Sequence, residues 1–457
     1  MRVIKFGGTS VQDAQRIRTV LDIADTAARA PGGAVLVSSA MAGTTDALLR
    51  IADYGKKLQR EKAAAETEAI RTHHLQEAEE LLGSESEELP ELLQGIERII
   101  SQVRSLLEGI LLLRECSSRT RDAIISCGEL LSTSIIAAGA RSRGIASEWI
   151  DIRACMRTDD FFGAAHVDFP TTNPLIQQHF QPKPGFLYIT QGFIGAANNK
   201  VTTTLGRGGS DYSAAIIAGA LGAEALEIWT DVDGIMTTDP RIVPAARRVP
   251  SMSYDEAAEL AYFGAKVVHP STMQPAVGMG IPIYVRNTHN PHNPGTIISN
   301  EKRALGLRAI TAKKNVTVIT VHSSRMLHAY GFMHQIFSVF AQNHTAIDLV
   351  ATSEVSVSMS LDPGSIEGNL EVILTQLGDF GEVSTEVEMA IICLVGHDLW
   401  KDAAFIARVF SSLQNIPIRL ISLGSSDTNL SLVVPDQYRE KAVRSLHAQF
   451  FPEVPHV

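Results

Sequence analysis

The strongest chemical signal lies at the start of the chain, where Lys5-Phe6-Gly7-Gly8-Thr9-Ser10 ends a short apolar run. A strand that delivers a lysine and then a glycine pair suits a phosphoryl group. Glycines let backbone amides approach phosphate oxygens, and free amides at a helix start donate to them. Thr9 and Ser10 stand where a helix cap is expected. An ordinary strand-to-helix turn with a solvated lysine is the plainer alternative. A second loop, Thr202-Thr-Thr-Leu-Gly206-Arg207-Gly208-Gly209-Ser210-Asp211, feeds an Ala-rich helix and carries its own cation and anion. Arg207 has the fork to take a carboxylate or phosphate, and Asp211 can order a lysine or a metal-bound nucleotide around a transferring phosphoryl group.

A third constellation, Trp229-Thr230-Asp231-Val232-Asp233-Gly234 with Met236 and Asp239-Pro240-Arg241, follows a predicted strand. Open α/β sheets bind ligands at the carboxyl ends of such strands. Its acids are candidates for magnesium or nucleotide hydroxyls, although Asp233-Gly234 also reads as a turn and Asp239-Pro240 as a helix stop. Ser253-Tyr254-Asp255-Glu256 is a capping box that starts a helix ending near Gly264. Beyond that end Lys266 is placed to reach phosphates, whereas His269, before Pro270, has no ligand partner at metal spacing and reads as a packed or surface histidine. Glu129, in Ser126-Cys127-Gly128-Glu129, is a helix-start carboxylate. Walker loops, protein-kinase catalytic loops and the dinucleotide GxGxxG turn are all missing, which removes support from those nucleotide folds.

These residues need a scaffold. Short apolar runs at Val3–Phe6, Ala34–Val37, Phe186–Thr190, Ala225–Trp229 and Pro282–Val285 alternate with helical stretches, and that alternation predicts a largely parallel sheet covered by helices. The Ala/Glu/Leu-rich stretch from 47 to 114 has almost no strand formers and reads as long inserted helices. Polar and turn residues thicken over Asn287–Gly295, which sets a domain boundary near residue 300. Beyond it the order strand, helix, strand, strand occurs twice, first through 315–321, 331–340, 346–352 and 355–361, then through 390–395, 403–413, 416–423 and 430–434. Two copies of a small α+β module account for it, with Val339, Phe340, Ile347 and Leu349 as module core rather than ligand pocket.

The chain has 457 residues, 45% of them hydrophobic and 20% charged, and a formal charge of -10. That length calls for two or three domains. The acidic balance argues against a nucleic-acid or anionic-membrane surface and for small-molecule partners. Cys116, Cys127, Cys155 and Cys393 are scattered without zinc or disulfide spacing, which fits a reducing cytoplasm. The N-terminus reads as a strand, so no export or membrane segment is expected.

Taken together, Lys5-Phe-Gly-Gly-Thr-Ser10, Ser126-Cys-Gly-Glu129, Gly206-Arg-Gly-Gly-Ser-Asp211, Trp229-Thr-Asp231, Thr237-Thr-Asp-Pro-Arg241 and Phe263-Gly-Ala-Lys266 resemble the aspartate kinase family in order and spacing. The match spans essentially the whole chain. It implies an α/β amino-acid-kinase fold over 1–298, with a largely parallel central sheet between helices and a helical insert at 47–114. Two α+β ACT modules follow, at 305–385 and 386–457. The implied reaction is phosphoryl transfer from MgATP to the side-chain carboxylate of L-aspartate, giving 4-phospho-L-aspartate, the first step toward lysine, threonine and methionine.

By that resemblance Lys5, Asp211 and Lys266 are catalytic, and Thr45, Glu129, Arg207, Gly208, Gly209 and Ser210 hold aspartate. ATP falls to Lys5, Gly7, Gly8, Thr9, Ser10, Thr230, Asp231, Met236, Arg241 and Lys266, with Mg2+ arriving on the nucleotide and no metal site of the protein's own. Met326-Leu-His-Ala-Tyr-Gly-Phe332 with Thr352-Ser-Glu-Val-Ser356 is similar to the monofunctional, lysine-sensitive branch. The implied effector residues are Met326, His328, Gly331, Phe332, Asp348, Thr352 and Glu354, with Asp348 and Glu354 taking ammonium groups. Lysine is the first expected effector, threonine the second, and an unregulated enzyme the third alternative. Met236 stands where the family usually has a tyrosine, and Ala329 and Ala346 where lysine-sensitive relatives have serines. A homodimer or larger assembly through the modules is expected. The rivals are an acetylglutamate or glutamate kinase on the same fold, and a sensor that binds nucleotide without turnover.

Overall fold

Strand β1 (Arg2–Phe6) is buried from Val3 onward, as a strand inside a parallel sheet must be. The computed structural model containing it describes residues 1–264, 270–301, 306–327, 330–362, 364 and 368–452. The chain forms two units, Met1–Ile235 with Val267–Asn300, and Met236–Lys266 with Glu301–Val457.

In the first unit β1 is followed by α1 (Ala14–Ala28), β2 (Ala34–Ser38), α2 (Thr44–Lys56), α3 (Arg60–Leu82) and α4 (Leu89–Leu113). Then come α5 (Ser118–Ile125), α6 (Cys127–Ser142), β3 (Ser147–Ile150), β4 (Arg157–Thr158), α7 (Phe169–His179) and β5 (Leu187–Gln191). After these run β6 (Ile194–Ala197), β7 (Thr202–Thr204), α8 (Gly209–Leu221) and β8 (Ala225–Thr230). The chain gives β9 (Ser251–Ser253) and α9 (Tyr254–Tyr262) to the second unit before returning with α10 (Pro270–Val277), β10 (Ile283–Asn287) and β11 (Thr296–Ser299).

The central sheet of this unit runs β3-β5-β2-β1-β8-β10-β11, and only β10 and β11 are antiparallel. Lys5 lies opposite Val37 on one side and Ile228 on the other, so the lysine emerges from the middle of the sheet. A small second sheet orders β4-β6-β7. The predicted strands and the helical stretch all appear. In α4 the buried residues Leu92, Ile96, Ile100, Val103, Leu107 and Ile110 form a stripe at helical spacing, which packs this helix into the core of the unit. The run Ser118–Ser142 is long and apolar enough to cross a membrane by composition, but most of it is buried inside the core.

The start of α1 departs from expectation. Gly8–Val11 makes a single 3-10 turn, and α1 begins only at Ala14, where the Asp13 side chain accepts from the Arg16 amide. Thr9 and Ser10 therefore cap nothing. The Gly-Gly pair takes a tighter turn than an α-helix allows, and Ser10 is buried with its hydroxyl 2.7 Å from that of Thr288.

The second unit contains β12 (Gly306–His322), α11 (Phe332–Gln342), β13 (Leu349–Thr352), β14 (Ser356–Leu361) and α12 (Leu370–Gly378). It continues with β15 (Glu382–His397), α13 (Ala403–Ser412), β16 (Leu420–Leu423), β17 (Asn429–Pro435) and α14 (Arg439–Phe450). Its sheet runs β13-β14-β12-β15-β17-β16, antiparallel throughout and symmetric about the central pair. One apolar core gathers Ile319, Val321, Phe332, Ile336, Val339 and Phe340, and a second gathers Ile310, Ile392, Leu394, Phe405 and Val409. The two central strands are longer than predicted and feed both cores. Helices α12 and α14 complete the repeat and were not foreseen.

Candidate active site

Lys5 reaches across from the sheet to the first turn of α8, where its Nζ lies 2.6 Å from Asp211 Oδ1. Both side chains are largely buried, so the ion pair is shielded from solvent screening. They line a cleft of about 590 Å³ together with Thr45, Glu129, Arg207, Gly208, Gly209 and Ser210. The structure thus gathers every aspartate candidate and two of the three catalytic ones. Gly208 caps α8 at φ 73°, a left-handed conformation that costs glycine nothing and turns the loop's amides to the helix start. Arg207 beside it is exposed and lines the same cleft.

Glu129 sits in the first turn of α6 and is 3% exposed. Its Oε1 accepts from the Ala40 amide at 3.2 Å, while its buried Oε2 has no partner. Burial pushes its carboxyl up to about 8, opposed by the Ala40 hydrogen bond. A buried carboxylate oxygen with nothing on it, facing a cleft, is the mark of a cation-binding position.

The remaining nucleotide candidates of this unit gather at the carboxyl ends of β1 and β8. The Gly7 amide donates to Trp229 O, and Thr288, whose amide donates to Thr230 O, also meets Ser10. Gly8 lies so close to the next loop that a Cβ there would stand 2.7 Å from Ala40 O. Gly7, Gly8, Thr9, Ser10, Thr230 and Asp231 therefore follow the carboxyl ends of two adjacent central strands, next to Lys5 but outside the cleft lining. Met236 and Arg241 belong to the second unit. There Met236 bridges Arg248, and the Arg241 guanidinium is already held by both oxygens of Asp239. Lys266, His269, His328 and Ala329 lie outside the described residues.

The cleft also holds residues that the sequence reading missed. Asp122, at the middle of α5, is 1% exposed and accepts from the Gly163 amide, the Thr204 amide and the Thr204 hydroxyl at 3.0, 2.8 and 3.0 Å. Burial raises its carboxyl above the usual aspartate range, and those three hydrogen bonds act against the rise. The signal available was an acidic residue seven positions before Glu129 in a predominantly buried helical run. Ser39, Arg121, Phe162 and Phe193 line the same space.

In the second unit the effector candidates are spread along the first module. Asp348 and Glu354 stand at opposite ends of the β13–β14 hairpin. The Asp348 side chain is 2% exposed and already engaged. Tyr262 donates to its Oδ1 at 2.5 Å, and Lys313 Nζ lies 2.9 Å from Oδ2 and 2.7 Å from Asp362. Lys313 also sits 5.0 Å from the Tyr262 ring centre. The Tyr262 hydroxyl is pushed above its usual range by burial and by Asp348. Phe332 packs into the module core against Phe380, because an apolar helix start faces the sheet. Gly331, Thr352 and Glu354 are exposed, and Met326 is half-buried.

Residues 1–287 match the amino acid kinase family, and residues 392–450 match an ACT domain. Fold and cleft together define an amino acid kinase joined to ACT modules. Lysine-sensitive aspartokinase 3 of Escherichia coli (strain K12) is 38% identical over 457 residues, covering 98% of this chain and 99% of that protein. Aspartokinase 2, chloroplastic, of Arabidopsis thaliana is 36% identical over 473 residues, covering 99% and 85%. The crystal structure of E. coli aspartokinase III with aspartate and ADP (R-state) aligns with a TM-score of 0.84 at 38% identity, covering 99% of this chain and 100% of that one. The same enzyme with lysine and aspartate (T-state) aligns at 0.79, also at 38% identity, covering 99% of each chain. The chain belongs to the aspartokinase family.

Proposed function

We propose that this protein transfers the γ-phosphoryl group of ATP to the side-chain carboxylate of L-aspartate, giving 4-phospho-L-aspartate. The observation that carries the substrate assignment is the unpartnered Oε2 of Glu129, buried in the cleft that also holds the Lys5–Asp211 pair. An amino-acid ammonium group satisfies that oxygen, and Arg207 with the amides of Gly208, Gly209 and Ser210 takes the α-carboxylate. An N-acetylated substrate lacks the charge that Glu129 requires. Thr45 closes the same pocket.

A carboxylate is already a competent nucleophile, so no general base is needed, and catalysis rests on positioning and charge neutralisation. Lys5 neutralises charge developing on the transferred group, and Asp211 fixes the direction of its ammonium. The Gly7–Ser10 turn with Thr230 and Asp231 serves the nucleotide. Asp231 follows β8 with an oxygen 3.1 Å from the Thr230 hydroxyl. That donor set suits magnesium held mainly by nucleotide phosphates and water, and the ion supplies charge neutralisation when bound.

The modules are read as the feedback element, with lysine as first effector and threonine as second, and as the surface of a homodimer or larger assembly in the cytoplasm. Incubation with MgATP, hydroxylamine and each of L-aspartate, L-glutamate and N-acetyl-L-glutamate tests the reaction through hydroxamate formation. Signal with aspartate alone is the expected result, lowered by added lysine. Signal with another acid overturns the substrate, and silence with all three overturns the activity.

A further inference from the structure

We propose that Asp122 is a positioning residue of the substrate pocket, which locks the loop carrying Arg207 to the helix pair carrying Glu129. The inference rests on the reading of Arg207 and Glu129 as the groups that hold the two ends of the amino acid. Those groups come from different elements lining the cleft, the start of α6 and the loop before α8, and their separation must match a small molecule to a fraction of an ångström.

Asp122 is where the walls are joined. Its backbone belongs to the Glu129 side, since its carbonyl accepts from the Ser126 amide at 3.0 Å and the Ser126 carbonyl accepts from Leu130 at 3.4 Å. The helices α5 and α6 thus meet at one residue. Its side chain belongs to the Arg207 side. Thr204, which gives it two hydrogen bonds, is the last residue of β7 and lies three positions before Arg207. Gly163, which gives the third, backs the same loop, because a Cβ at Gly206 would stand 3.2 Å from Gly163 O. The Ala165 amide closes the arrangement by donating to Thr204 O at 2.9 Å.

The donor set explains the residue type. Two backbone amides converge on Oδ2 and one hydroxyl on Oδ1, with no cation among the partners. A carboxylate accepts all three. An asparagine keeps its amide oxygen on the two backbone donors, and the Thr204 hydroxyl can rotate to accept from its Nδ2. An alanine leaves the buried Thr204 amide and the part-buried Gly163 amide without this acceptor and frees the loop.

The test is steady-state kinetics on the full-length protein. Asp122→Ala is expected to raise KM for aspartate at least about tenfold while KM for ATP changes less than twofold, and Asp122→Asn is expected to restore aspartate KM to within about threefold of wild type. Thr204→Val, which removes one of the three donors and keeps the backbone, is expected to raise aspartate KM about two- to fivefold and serves if the alanine variant does not fold. Equal rises in both KM values, unchanged aspartate KM in a folded variant, or no rescue by asparagine overturns the positioning role. Arg207→Ala, measured alongside, separates the two readings: if it leaves aspartate KM unchanged, the substrate assignment fails rather than the role of Asp122.

Discussion

The cleft around Glu129 and the cluster around Asp348 both bury a carboxylate, and they treat it in opposite ways. Glu129 keeps one oxygen without a partner and is pushed up to about 8 by burial. Asp348 has both oxygens occupied by Lys313 and Tyr262. On the proposed function the first arrangement is prepared for a cationic ligand, since binding would remove a strain that the free protein carries. The second is complete without one. An effector ammonium that uses Asp348 must displace Lys313, so its observed affinity is the difference between two ion pairs. Tyr262 ends α9, and Thr311 on β12 hydrogen-bonds Phe263 O next to it. Displacement at Asp348 is therefore felt at the end of α9.

Four measurements bear on this contrast. The largest effect is expected from Lys5→Ala or Asp211→Ala, each lowering kcat by about 10²–10³ or more with the far-UV circular dichroism unchanged. Near-normal turnover in either variant removes that residue from catalysis. Next, Glu129→Gln should raise KM for aspartate by about 10- to 100-fold, the loss of one charged hydrogen bond. In the third measurement Lys313→Met removes the internal competitor and should make lysine inhibition up to about tenfold tighter. Unchanged or weaker inhibition means that the effector does not use Asp348.

The smallest effect concerns pH. A carboxyl raised in the fold costs stability once the unfolded chain ionises, so Glu129 destabilises the ligand-free protein from the ordinary glutamate range up to about pH 8, where the cost levels off. Glu129→Gln should therefore raise the Tm by a few degrees at pH 8 and leave it unchanged near pH 4. In the wild type kcat/KM for aspartate should rise with pH through about 8, and the variant should flatten that limb. A pH-independent difference in Tm would break the link to ionisation.

The parts legible in the sequence were those written in residue type and spacing. The Gly-rich loop before Asp211 needs φ values that glycine supplies, and the Ser253–Glu256 capping box forms with both of its reciprocal hydrogen bonds. The parallel sheet followed from its apolar runs. What stayed hidden depends on partners far along the chain. Asp122 is held largely by backbone amides of Gly163 and Thr204, which leave no trace in a residue pattern. The Tyr262–Asp348 bond spans 86 positions. Thr9 and Ser10 looked like caps because the Gly-Gly turn that delays α1 to Ala14 has no distinct signature. Helix α14 escaped because only Ala442, Val443, Leu446 and His447 are buried, too short a stripe to declare itself.

The long central strands of the second unit have a consequence for how it comes apart. β12 pairs with β15 from Gly306↔His397 to His322↔Glu382, and each strand supplies side chains or packed neighbours to both apolar cores. A break between residues 385 and 386 falls inside β15 and strips both cores at once. The two modules are repeats in sequence but are expected to open as a single foldon. Hydrogen exchange across Ile310, Ile319, Ile392 and Leu394 should slow to one common opening free energy, so neither repeat melts as an independent domain.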